Sequence, residues 1–347
     1  MEQNEFADKI ALSLRFPNRE VGCLRFQTEL HCCGRQRDAH RPRFTARRHF
    51  CALSHFRRVN LRLKADLALV GCSFLWGTTF VIVQRALVDS SVFSFLAARF
   101  VLAAVVLAFV YRADLRKLTR AEFLAGLQIG LFMIFGHAFQ TAGLRETTPS
   151  KAAFVTGFSV VLVPVLLAIF WRRPANAWVW TGALASLAGL YYLTVSSAGL
   201  TDLNRGDLFV LVCSILFAVQ IILIGVYTPH FSVGALSLVQ VATGAVVSVV
   251  AIPVVAVAGW ETPRLHLTSS LLFAIVATAV LTTALAFSVL VWAQKYTTAT
   301  HAALILALEP VFAAFTSYVV IHERLGGRAL VGAGLILAGI LIVELKG

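Results

Sequence analysis

Arg99 and Glu309 fit their surroundings least well. Each lies inside a long apolar run, with Phe100-Val101-Leu102 after the first and Ile305-Leu306-Ala307-Leu308 before the second. A charged group deep in a membrane helix costs about 2.5–3.5 kcal/mol on insertion scales, so each must be compensated or used. Arg99 is read as the counter-ion of an anionic solute group, or else as a structural partner of helix-end carbonyls. Glu309 precedes Pro310, whose missing N–H leaves a carbonyl one turn earlier unpaired and bends the helix. A carboxyl in hydrocarbon suits proton carriage, because its neutral form is the one burial tolerates; a pairing with Arg99 or His301 is the alternative. His137 and Gln140 stand three apart on one helical face, and His137 is a second candidate for proton or solute contact. Trp76 with Thr78 and Thr79 supplies an aromatic plate and two hydroxyls, which suit a solute cavity better than a lipid face.

Composition fixes what must position these groups. Of 347 residues, 59% are hydrophobic and 14% are charged, where a soluble domain carries about 25% charge; the mean hydropathy is +0.81. Ten apolar runs follow one another at about 66–84, 92–111, 121–143, 150–171, 177–195, 206–228, 232–258, 268–292, 298–320 and 327–345. Each is near the 20 or so residues that a helix needs to cross hydrocarbon, and none alternates at period two as a barrel strand would. The expected fold is therefore an all-α polytopic membrane protein with ten transmembrane helices. Lys and Arg near the span ends number 10 on one side and 7 on the other, and the excess predicts that both termini are cytoplasmic.

The two halves repeat. A shift of 141 lays Asp66-Leu67 on Asp207-Leu208, Cys72-Ser73 on Cys213-Ser214, Trp76 and Thr79 on Phe217 and Gln220, and Arg99 on Gln240. A shift of 150 lays Thr147-Thr148 on Thr297-Thr298 and Gly182-Ala183 on Gly332-Ala333. Five spans is an odd number, so the copies enter the membrane from opposite sides as two inverted five-helix repeats, 64–200 and 204–347. That architecture belongs to secondary transporters, with a site near the midplane where the halves meet. Gln220 and Gln240 join the candidate cavity on this argument. Gly182, Gly189, Gly332, Gly334 and Gly339 are expected to let spans five and ten approach closely.

Residues 1–58 hold no apolar run, and residues 1–64 carry 14 Lys and Arg against 6 Asp and Glu. A disordered basic tail, cytoplasmic and close to anionic lipid, is expected; translated upstream sequence with the natural start near Val59 is the other reading. Cys23, Cys32, Cys33 and Cys51 lack the paired spacing of a zinc knuckle. No nucleophile, base and orienting group occur together, and no glycine-rich phosphate loop opens a helix. Catalysis, cofactor, metal, ATP and nucleic acid are accordingly not expected; a small-molecule solute and membrane lipid are the partners.

Trp76-Gly77-Thr78-Thr79-Phe80, Ala97-Ala98-Arg99-Phe100, Thr148-Pro149-Ser150-Lys151-Ala152-Ala153-Phe154 and Leu308-Glu309-Pro310-Val311-Phe312 followed by Glu323 together resemble the EamA-type ten-helix branch of the drug/metabolite transporter superfamily. The resemblance covers 64–347. It implies a bacterial inner-membrane carrier, usually an exporter of metabolites or amino-acid-like compounds working by alternating access, and it adds Phe154 to the candidate cavity. A non-transporting assembly protein on the same scaffold is the competing class.

Overall fold

The computed structural model describes residues 44–147, 149–170, 172, 175–194, 204–321 and 327–346, with side chains from 61 onward except those of 150, 151, 193, 194, 317, 320, 321 and 329. The basic tail up to residue 43 lies outside them, as do Thr148, Glu323 and the side chain of Lys151. Among the described residues there is no strand, only one antiparallel bridge between Ser90 and Leu265. The helices are α1 Phe44–Asp89, α2 Val92–Val110, α3 Arg120–Gly143, α4 Pro149–Gly157, α5 Ser159–Phe170, α6 Ala177–Thr194, α7 Arg205–Tyr227 and α8 Val233–Val257. They continue as α9 Ser269–Ala277, α10 Thr278–Leu285, α11 Ala286–Ala293, α12 Ala299–Leu306, α13 Glu309–Ile321 and α14 Gly327–Lys346.

Among the described residues eight helical segments are long and apolar enough to cross a membrane. The expected fifth and tenth spans correspond to α6 and α14, which fall outside those eight and pack against each other. The outward surface is apolar: Phe109, Val257, Phe273 and Leu337 are all exposed, as a chain solvated by lipid requires.

Local chemistry sets the helix ends. Thr119 and Glu122 form a capping box that starts α3, and Asn204 with Asp207 starts α7 in the same way, each satisfying N–H groups that a first turn leaves unpaired. The halves also cap each other. Glu261, after α8, accepts hydrogen bonds from the backbone N–H groups of Val92 (2.8 Å) and Phe93 (3.3 Å) at the start of α2. Glu122 of α3 accepts one from Ser232 N (3.2 Å) at the start of α8. Helices α2 and α8 occupy matching places in the repeat, so the exchange of carboxylates between halves is reciprocal. Arg145 pairs with Glu261 at 2.6 Å and ties the end of α3 to the same corner.

The segments expected as spans four and nine are both broken. Span four changes helix at Phe158, between α4 and α5, and span nine at Ala307 and Leu308, between α12 and α13. The shift of 150 that relates these spans carries Phe158 onto Leu308. Pro310 sits in the first turn of α13, where a missing N–H costs nothing because no partner was available. Pro164 lies inside α5 instead of at the break. Paired interruptions of this kind free backbone groups at mid-depth, where a transporter builds its site.

Close approach explains one pair of glycines. A Cβ on Gly182 would stand 2.6 Å from Gly339 O, and a Cβ on Gly339 would stand 2.5 Å from Gly182 O. Gly334 has nothing within 4 Å of its Cβ position, so it faces outward and takes no part in that contact. Gly182→Val is expected to destabilise the protein by about 1–3 kcal/mol through overpacking, read as a lower thermal midpoint in detergent. Gly334→Ala serves as the control and should leave the midpoint unchanged; equal effects would contradict the packing described.

Candidate functional site

An internal cavity of about 80 Å³ opens at the level of the two helix breaks. Trp76, Thr79, Phe80 and Val83 of α1 line it with Arg99 of α2, His137 and Gln140 of α3, Thr156 of α4, Phe217 and Gln220 of α7, Phe287 of α11 and Glu309 of α13. Both sequence halves therefore contribute.

Arg99 is buried. Its Nε donates to Thr283 Oγ1 at 2.7 Å and its Nη2 to Thr282 Oγ1 at 3.2 Å. Both acceptors belong to α10, a π-helical turn, whose wider winding displaces backbone groups from the α-helical ladder. Trp76 Nε1 donates to the carbonyl of Thr282 at 2.9 Å, so one turn holds both the guanidinium and the indole. The hydroxyls orient Arg99 without neutralising it. Among the described residues the ion pairs link Arg62, Arg145 and His301 to carboxylates, and Arg99 and Glu309 stand in none of them. The cavity thus holds one guanidinium and one carboxyl, neither of them in an ion pair among the described residues.

His137 packs among Phe100, Phe217 and Phe287 at ring-centre distances of 5.4, 5.0 and 5.6 Å. Its Nδ1 lies 2.9 Å from the Met133 carbonyl, and because a carbonyl only accepts, that nitrogen carries the proton. Gln140 Nε2 reaches Thr156 Oγ1 at 3.4 Å across the cavity. Gly77 explains how α1 comes so near: a Cβ there would lie 2.5 Å from the carbonyl of Glu309. Only glycine lets the helix rest against the break in span nine.

Residues 63–195 and again 204–345 match the EamA-like transporter family. The chain belongs to this family. It is a membrane transporter, and the family model matches it twice in succession. It is 31% identical over 285 residues, 82% of this chain and 87% of the other, to a protein named "Uncharacterized transporter" from Archaeoglobus fulgidus. A protein of known crystal structure, 18% identical, shares the fold with a TM-score of 0.66 over 81% of this chain and 96% of its own.

Within this EamA-like transporter, Trp76, Thr79, Arg99, His137, Gln140, Gln220 and Glu309 meet around one space. Thr78, Phe154 and Gln240 lie elsewhere. Thr78 Oγ1 donates to the carbonyl of Leu75 in its own helix at 2.8 Å. Phe154 stacks edge-on with Phe158 at 5.2 Å. Gln240 is fully buried, 3.5 Å from Gln220, on helix α8, which packs against α2 and α3. Sequence reasoning did not identify Thr156, Thr282 and Thr283. The adjacent hydroxyls of Thr282-Thr283 inside an apolar run were the available signal, but the π-helical turn that aims them has none.

Proposed function

We propose that this EamA-like transporter is a secondary carrier that exports small metabolites or amino-acid-like solutes across the bacterial inner membrane. It works by alternating access between two inverted five-helix repeats, with ten spans and both termini in the cytoplasm. The observation that carries this reading is the buried Arg99, held by two hydroxyls on the cavity lining and, among the described residues, in no ion pair. Burying a guanidinium without an anion is costly, and a solute carboxylate or comparable anionic group would repay that cost on binding. Glu309 supplies the proton-coupling group on the opposite, broken span.

Size supports motion. Ligand pockets generally exceed about 300 Å³, whereas this cavity holds about 80 Å³, so a metabolite is seated only when the halves part. The breaks at Phe158 and Ala307–Leu308 provide the places at which spans four and nine flex.

Transport of a panel of labelled amino acids, other small organic anions and cationic dyes in proteoliposomes tests the reading, and no flux of any anionic solute would sink it. Water access offers a second check. With the six native cysteines replaced by serine, Thr79→Cys and Gln140→Cys are expected to react with a water-soluble thiol reagent while Gln240→Cys is protected. Uniform protection would remove the cavity from the mechanism.

A further inference from the structure

At the end of the bundle where α1 and α12 begin their apolar stretches and α14 finishes, three metal-binding side chains converge. Asp66 of α1, His301 of α12 and Glu344 of α14 each present a ligand atom, and these atoms all lie within 4.8 Å of one another. They come from both sequence halves and play no part in the solute cavity. We infer that Asp66, His301 and Glu344 form a binding site for a divalent first-row transition-metal cation such as Mn²⁺ or Zn²⁺, fastening α1, where its apolar stretch begins, to the second repeat.

Unsatisfied donors carry the argument. Both carboxylate oxygens of Asp66 are shielded from solvent and have no hydrogen-bond partner. His301 is only 6% exposed; its Nε2 meets the Glu344 carboxylate as an ion pair but outside hydrogen-bonding geometry. Thr297, whose hydroxyl is also buried, stands beside Asp66. Arg62 approaches from solvent, 3.9 Å from Asp66 and 3.7 Å from Glu344, too far to donate a hydrogen bond to either.

The repeat supplies an internal control. Asp207 occupies the matching position in the second half and is fully engaged: it accepts from Thr147 Oγ1 and, at 3.1 Å, from Asn204 N. It can do so because it stands in the first turn of α7, where backbone N–H groups are free. Asp66 lies within α1, whose N–H groups are already used, so its carboxylate remains available. One imidazole nitrogen and two carboxylates suit a borderline or hard divalent ion. Ligand distances of about 2.1 Å would hold the donor atoms no more than about 4.2 Å apart, a small adjustment of the present positions.

The test is titration of the full-length protein in detergent with Mn²⁺, following loss of the free-ion electron paramagnetic resonance signal. Mn²⁺ is chosen because it has little affinity for the thiols of the tail. About one ion per chain is expected, with one imidazole nitrogen in its echo-modulation spectrum. Asp66→Asn, His301→Ala and Glu344→Gln are each expected to weaken binding about tenfold or more. The partly exposed Glu344 provides the variant least able to disturb folding. No saturable binding, or binding that all three variants retain equally, would overturn the site.

Discussion

Arg99→Gln is expected to lower transport efficiency for an anionic solute by about 10- to 150-fold. This is the loss of a charge-assisted hydrogen bond worth about 1.5–3 kcal/mol. The guanidinium already has hydroxyl partners at Thr282 and Thr283, so it binds solute without first breaking an ion pair, and the charge interaction is available in full. Gln retains a donor for those hydroxyls and removes the buried charge, so the variant should fold and reach the membrane. The discriminating measurement sets an anionic solute against a neutral analogue of similar size. A loss confined to the anionic one assigns Arg99 to solute recognition. Equal losses would make it a structural partner of α10, and no loss would remove it from the site.

A second consequence follows from the same geometry. Arg99→Lys keeps the charge but cannot reach Thr282 and Thr283 together with the planar fork of a guanidinium. Its defect should therefore fall between those of the wild type and Arg99→Gln. Because Trp76 leans on the carbonyl of Thr282, the effect of Trp76→Phe is expected to couple with that of Arg99→Lys, and double-mutant analysis would measure the coupling.

Much of this architecture is legible in the chain because lipid leaves the backbone few options. Apolar run length marked the membrane-crossing segments, eight of which stand among the described residues, and pairs such as Asp66 with Asp207 and Thr147 with Thr297 pointed to the repeat. The family model matches 63–195 and again 204–345. Arg99 and Glu309 stood out because a lone charge in an apolar run has few structural uses. What stayed hidden depends on backbone geometry that residue types do not encode. The break at Phe158 has no proline at the interruption, and the π-helical winding of Thr278–Leu285 has no sequence mark. Symmetry misled at Gln240: the repeat places it opposite Arg99, but α3 packs so closely that a Cβ on Gly130 would stand 2.7 Å from the Gln240 carbonyl. The side chain consequently lies in the helix packing.

Glu309→Gln is expected to abolish solute flux driven by a pH gradient while leaving solute–solute exchange intact. Arg99, His137 and Glu309 are the ionisable groups on the lining, and only Glu309 can alternate between an anion and a neutral acid. A coupled carrier must return without its proton after releasing it on the other side. Gln imitates the protonated carboxyl permanently, so exchange, which needs no net proton movement, survives and net coupled flux does not. The available driving force is substantial, since one pH unit across the membrane is worth about 1.36 kcal/mol, about a tenfold solute gradient for each proton moved. Folding should be spared, because Glu309 takes part in no ion pair among the described residues and Gln is nearly isosteric. Flux is to be measured in proteoliposomes with the internal pH fixed and the external pH stepped. Wild-type flux that varies with the step and Gln-variant flux that does not would assign the proton to this carboxyl. An unchanged pH response in the variant would remove Glu309 from coupling and leave His137, fixed at Nδ1 by the Met133 carbonyl, as the group to replace next.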